Sequence, residues 1–122
     1  DLENNYGVEL FRAGDYQEAK VHFLKSTELA PYWWTNWNNL GAVYEQEKNY
    51  QKALEYYQKS IDNGQYYLAY ENMAKILVLQ EKVNPIAGRK TDEFLRKALE
   101  MFPENNNLQE IQMYHKSLIN KK

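Results

Sequence analysis

The chain has 122 residues, 15 Lys and Arg against 17 Asp and Glu, a net charge of −2, and no cysteine. This length suits one domain that buries its own core, and without cysteine it has no disulfide framework, thiolate zinc site or thiol nucleophile. The near-balanced charge lacks the basic excess that draws a domain to phosphate backbones or anionic lipid, so neither nucleic acid nor a membrane surface is an expected partner.

Only 5 Gly and 3 Pro punctuate the sequence, beside 11 Tyr and 3 Trp, which argues for long helices rather than a turn-rich β domain. The longest clean apolar run, Ile76-Leu77-Val78-Leu79, falls far short of the roughly 18 residues of a membrane helix, so direct membrane insertion is not expected. No signal peptide is visible. The chain opens at Asp1, inside an expected helix, which suggests an excised domain or a processed fragment.

Taken in chain order, Tyr6-Gly7, Leu40-Gly41 and Met73-Ala74 align at offsets of 34 and 33 residues. Each is followed by an apolar pattern of helical period, a polar break and a second such pattern, so the repeating unit is a helix pair. In the first copy Glu3, Tyr6, Gly7 and Leu10 mark one helix and Gly14 its stop. Asp15 with Glu18 then reads as a capping-box opening of the next helix, which carries Ala19 and Phe23 and closes at Pro31. The second copy runs Trp37-x2-Leu40-Gly41-x2-Tyr44, then Ala53-x3-Tyr57, and ends at Asn63-Gly64. The third runs Tyr70-x2-Met73-Ala74-x2-Leu77, then Thr91-x3-Leu95, Ala98 and Pro103, with five extra residues between Leu77 and Leu95. In that insertion, near 81–90, either Asn84 caps a longer helix with Pro85 in its first turn or a loop leads into a helix beginning near Thr91; the loop is preferred. Beyond Pro103, Asn105, Asn106 or Asn107 can cap a last helix with Leu108, Ile111, Tyr114 or His115, Leu118 and Ile119 on one face.

The spacing has a packing logic. Gly7, Gly41 and Ala74, facing Ala19, Ala53 and Thr91, let paired helices approach to about 8–10 Å. Ser26, Ser60 and Ala98 form a second small-residue series where the next repeat packs. Tyr16, Tyr50, Phe23, Tyr57 and Leu95 fill the space between, so much of the tyrosine excess is structural.

Catalytic motifs are missing: there is no H-E-x-x-H, glycine-rich phosphate loop or G-x-S-x-G elbow. His22 and His115 are expected as exposed or half-buried structural residues. The carboxylates, mostly flanked by Lys or Arg at helical spacing, read as solvated faces. Lys82, Arg89, Lys90, Arg96 and Lys97 read as a solubilising cluster around the insertion. No catalysis, cofactor or metal is expected.

The second copy resembles the tetratricopeptide repeat (TPR) signature almost position for position. The first departs from it where Glu3 stands for tryptophan, and the third is degenerate. The resemblance, over roughly residues 1–103, implies an all-α, right-handed α-α superhelix (solenoid) of three TPR helix pairs plus a C-terminal capping helix. Within a single domain, 1–122, the repeats are expected at 1–33, 34–66 and 67–104, with the capping helix at 105–120. In that fold the first helices line a concave surface through positions two, five, six, nine, twelve and thirteen of each repeat, a stripe of helical period.

The sixth position is Asn5, Asn39 and Asn72. A side-chain amide can both donate to and accept from an extended peptide backbone, and similar asparagines grip peptides in the peroxisomal import receptor and the N-acetylglucosamine transferase. Asparagine is also the commonest residue at that family position, so consensus filler is the alternative. Thr35, Ala42, Leu68, Val78 and Leu79 suit a mixed polar and apolar segment, with Arg12 and Lys75 adding local charge. Chaperone-binding TPR domains clamp two carboxylates with lysine, arginine and asparagine. The corresponding residues are Asn4, Val8, Asn39, Leu68 and Asn72, of which only Asn39 matches, so a C-terminal EEVD-type ligand is not expected. Trp37 is a consensus core position. Trp33 and Trp34 lie outside the signature, either as repeat packing or as aromatic contacts to a ligand.

The implied function is a non-enzymatic scaffold that binds a protein or peptide, as an extended segment or a partner helix, on the concave face. The alternatives are a homo- or hetero-assembly module that self-associates through the uncapped N-terminal repeat, and the non-catalytic TPR region of a larger membrane glycosyltransferase or secretion-type protein. A soluble domain is expected; the missing cysteines fit either side of a membrane, and a cytoplasmic setting is slightly favoured.

Overall fold

The computed structural model describes residues 1–64, 66–83 and 88–120. These are all-α: α1 Leu2–Arg12, α2 Tyr16–Leu29, α3 Trp34–Gln46, α4 Tyr50–Asn63, α5 Tyr67–Val83, α6 Gly88–Met101 and α7 Asn106–Asn120. The alternatives for Asn84 and Pro85 lie outside the described residues. On either side of them α5 runs on to Val83, and α6 starts at Gly88 rather than near Thr91. The chain forms two compact units, Asp1–Ala69 and Tyr70–Lys122.

In the first unit α1 packs on α2, α3 on α4, and α2 on α3. Ala19, Phe23, Leu40 and Val43 form its buried centre, flanked by Val8, Leu10, Phe11, Tyr16, Trp37, Tyr44 and Tyr56. The close approach has a specific cause. A β-carbon on Gly7 would lie 2.4 Å from the Phe23 ring, and one on Gly41 would lie 2.7 Å from the Tyr57 ring. The glycines therefore let one large ring from each second helix lie directly on the backbone of the first. Ala53 and Ala19 are fully buried beside these contacts.

The turns within the two pairs match at the 34-residue offset. Gly14 (φ 83°) and Lys48 (φ 62°) occupy the same left-handed position, and Asp15 and Asn49 stand next as N-caps. The Asn49 side chain accepts from the Lys52 amide at 3.3 Å, whereas the Asp15 side chain makes no cap bond, so the expected capping box is not formed. Asn36, fully buried, ties α3 to the end of α2 by donating to the Ser26 and Ala30 carbonyls at 3.1 and 3.4 Å. The Ser26 and Ala30 carbonyls also accept from the Ala30 and Trp33 amides at 2.9 and 3.2 Å, so the Asn36 amide adds a second donor to each and locks the junction between the two helices.

In the second unit, Ala74, Ile76, Leu95, Ala98 and Leu108 are buried. The Tyr70 ring stacks on Phe94 with centroids 6.0 Å apart and meets Phe102 edge-on at 5.3 Å. Helix α7 opens on Asn105, whose carboxamide oxygen accepts from the Leu108 amide at 2.9 Å.

Candidate functional site

In the first unit the expected groove residues come from α1, α3 and the first turn of α5. Asn5 is exposed, Thr35 is half-buried and Leu68 is exposed. Asn39 is half-buried and already engaged: its amide donates to the Asn4 side-chain oxygen at 2.8 Å, joining α3 to α1. One of its two N–H donors thus belongs to the fold, and the other, with the carboxamide oxygen, is what remains for a ligand. Asn4, at a position where the carboxylate clamp needs lysine, is buried in this pair.

The two tryptophans separate. Trp34 is half-buried against Tyr66, with ring centroids 4.7 Å apart, and Tyr66 in turn meets Tyr67 at 4.4 Å. Gly64 makes room for this stack, because a β-carbon there would lie 2.8 Å from the Trp34 ring. Trp33, the N-cap residue of α3, is 39% exposed. Trp37 donates from its indole nitrogen to the Pro31 carbonyl at 2.7 Å and stacks on Tyr56.

In the second unit Asn72 is half-buried and Lys75 exposed on α5. Lys75, Val78, Leu79 and Lys82 recur at i, i+3, i+4 and i+7, on one helix face. With Glu110, Ile111 and Tyr114 of α7 they line a groove of about 330 Å³. Its floor is apolar, formed by buried Val78, half-buried Ile111 and the exposed parts of Leu79 and Tyr114. Lys75 and Lys82 stand at one rim and Glu110 at the other; neither lysine forms an ion pair among the described residues.

Two polar contacts hold α7 on α5. The Asn107 amide donates to the Glu71 carboxylate at 2.5 Å, and His115 Nε2 lies 2.6 Å from Glu81 Oε2. Glu71, Glu81 and His115 are almost or entirely buried. This corrects the sequence reading twice: His115 is not an exposed or half-buried residue, and these carboxylates do not sit on solvated faces. The missed signal is register. Leu108, Ile111 and His115 share one stripe of α7, and Glu81 falls three residues after buried Val78 on α5. His22, by contrast, is half-buried as expected, with Nδ1 2.6 Å from Glu3 Oε2.

Among the described residues no helix is long and apolar enough to cross a membrane. Stress-induced-phosphoprotein 1 of Caenorhabditis elegans is 32% identical over 62 residues, a stretch that covers 51% of this chain and only 19% of that protein. Among solved structures, the first TPR of Spaghetti (RPAP3), bound to the HSP90 peptide SRMEEVD, superposes with a TM-score of 0.83 at 18% identity, covering 98% of this chain and 91% of that one. The second TPR domain of human RPAP3, in complex with the HSP70 peptide SGPTIEEVD, gives 0.79 at 16% identity, covering 93% and 92%. These likenesses extend the helical-repeat fold over the whole chain. The tetratricopeptide repeat profile matches residues 1–65, where the glycine-on-ring contacts and the 34-residue turn correspondence are found, and on that match the chain belongs to the tetratricopeptide repeat family.

Proposed function

We propose that the chain is a protein-interaction module that holds an extended peptide or partner helix on the faces of its first helices. Asn5, Asn39 and Asn72 would bond the ligand backbone, Thr35, Leu68 and Lys75 would contact its side chains, and Trp33 would add an aromatic contact. Trp34, set against Tyr66, would support that contact rather than make it.

The observation that carries this reading is the open apolar groove on α5, lined by Lys75, Val78 and Leu79 at three successive groove positions of the repeat pattern. A cleft with an apolar floor and a few polar groups at its edge suits capture of a side chain from a partner. The peptide complexes of the RPAP3 domains support the same class of function. They do not extend to the EEVD terminus itself. Val8 and Leu68 stand where that clamp needs cationic or amide groups, and Asn4 is committed to Asn39, so those three positions bring no cation to offset the desolvation of a terminal carboxylate.

The test is selection from a random peptide library displayed on phage, with the folded chain as bait, followed by titration of the enriched peptides. Saturable binding to a common sequence pattern is expected. No enrichment over a bare-surface control would remove the interaction reading.

A further inference from the structure

We infer that the groove between α5 and α7 accepts a bulky apolar side chain bracketed by two carboxylates, so that the partner is an acidic segment recognised internally rather than by its terminus. The inference rests on the interaction reading above and specifies the ligand.

Size sets the first limit. At about 330 Å³ the groove lies at the bottom of the range of ligand sites, roughly 300–1,000 Å³, and well above the ~150 Å³ cavity that holds a benzene ring. One large side chain and its adjoining backbone fit; the whole face of a helix does not. Apolar lining comes from both helices, Val78 and Leu79 on one side, Ile111 and Tyr114 on the other, and Leu79 and Tyr114 are 44% and 48% exposed. An apolar side chain placed there removes their exposed surface from water.

Charge sets the second. Lys75 and Lys82 lie seven residues apart on one helix face, about 10 Å along its axis. They have no carboxylate partner among the described residues, while Glu110 marks the opposite rim. Ten ångströms is about three residues of an extended chain. Only residues an even number apart share a face of such a chain, so two acidic residues four apart, about 13 Å, with the apolar residue midway, reach both long lysine side chains while the apolar side chain enters the groove. A basic segment would face the lysine rim with like charge and is disfavoured.

The probe is a fluorescein-labelled, C-terminally amidated peptide carrying one leucine midway between two glutamates four positions apart, titrated by anisotropy. Binding is expected although the peptide has no terminal carboxylate. The pair Lys75→Glu with Lys82→Glu should weaken it about tenfold or more, the equivalent of two exposed ion pairs. Exchanging the probe's leucine for serine, or Leu79→Gln with Tyr114→Ser in the protein, should weaken it to a similar extent. Lys75 and Lys82 are exposed and Leu79 and Tyr114 are each exposed over nearly half their surface, so the variants are expected to retain the fold, with circular dichroism as the check. Equal affinity for a probe with glutamines in place of glutamates, or for the lysine variants, would overturn the inference. So would pocket variants that only dissociate a dimer of the chain in sedimentation. If library-selected peptides bind but this probe does not, this inference alone falls; if neither binds, the interaction reading falls with it.

Discussion

Gly41 carries the tightest constraint in the second repeat, because the Tyr57 ring lies where its β-carbon would be. Since Tyr57 is buried and cannot swing away, Gly41→Ala should cost about 1–3 kcal/mol in chemical denaturation, the usual cost of overpacking. The Tyr57 hydroxyl donates to the Glu45 carboxylate at 2.7 Å. Burial first, then this bond and the negative charge of Glu45, push its phenol well above the ordinary value. The native state therefore keeps a proton that the unfolded chain releases above about pH 10. Stability from this group is complete below that pH and falls as pH rises beyond it. In Tyr57→Phe the alkaline loss should be shallower, at a cost near neutrality of about 1 kcal/mol for the missing hydrogen bond; thermal melts from pH 8 to 11 make the comparison.

Helix pairs show one position solved three ways. Glu3 with His22, Trp37 with Tyr56, and Tyr70 with Phe94 are equivalent pairs joining the first and second helices of each repeat: a 2.6 Å polar contact in the first and stacked rings in the other two. The departure from the family tryptophan at Glu3 is thus matched across the helix pair by a histidine. Replacing Glu3→Trp and His22→Tyr together should restore an aromatic pair. A double-mutant cycle is expected to show each single change costing about 1 kcal/mol and the double change recovering most of it, as ring pairs couple by that order. For α7 the critical contact is Glu81 with His115. His115→Ala leaves a buried carboxylate alone and should destabilise by about 3 kcal/mol, whereas Glu81→Leu with His115→Leu should be close to neutral, because removing both members removes the desolvation cost as well. The helix-pair pattern and the helix stop at Gly14 were readable because local chemistry dictates them, and the cap of α7 was narrowed to Asn105, Asn106 or Asn107. The Glu81–His115 pair was not readable, because it depends on which face of α7 meets α5. The failed capping box at Asp15 has the same lesson: residue type fixed the N-cap position, while side-chain rotamer decided whether a bond formed.

Across the whole molecule, the candidate site was legible in part. Helical period puts Lys75, Val78 and Leu79 on one face, since residues at i, i+3 and i+4 must share it; that this face lines a groove came from the resemblance to the repeat family. Glu110, Ile111 and Tyr114 could not be assigned to the same groove from sequence, because that needs the pairing of two helices separated by an insertion. The asparagine series was visible, but the engagement of Asn39 with Asn4 was not, and it changes how the series is probed. Asn39→Ala orphans a buried amide oxygen and should itself cost about 1 kcal/mol, so binding and stability must be read on the same sample. The decisive measurement is calorimetric titration of a library-selected peptide into the parent chain and into Asn5→Ala, Asn39→Ala and Asn72→Ala combined, at a temperature where circular dichroism shows both folded. An affinity at least about tenfold weaker in the triple variant, as expected for several lost backbone hydrogen bonds, is the predicted result; an unchanged affinity would contradict peptide recognition by these asparagines.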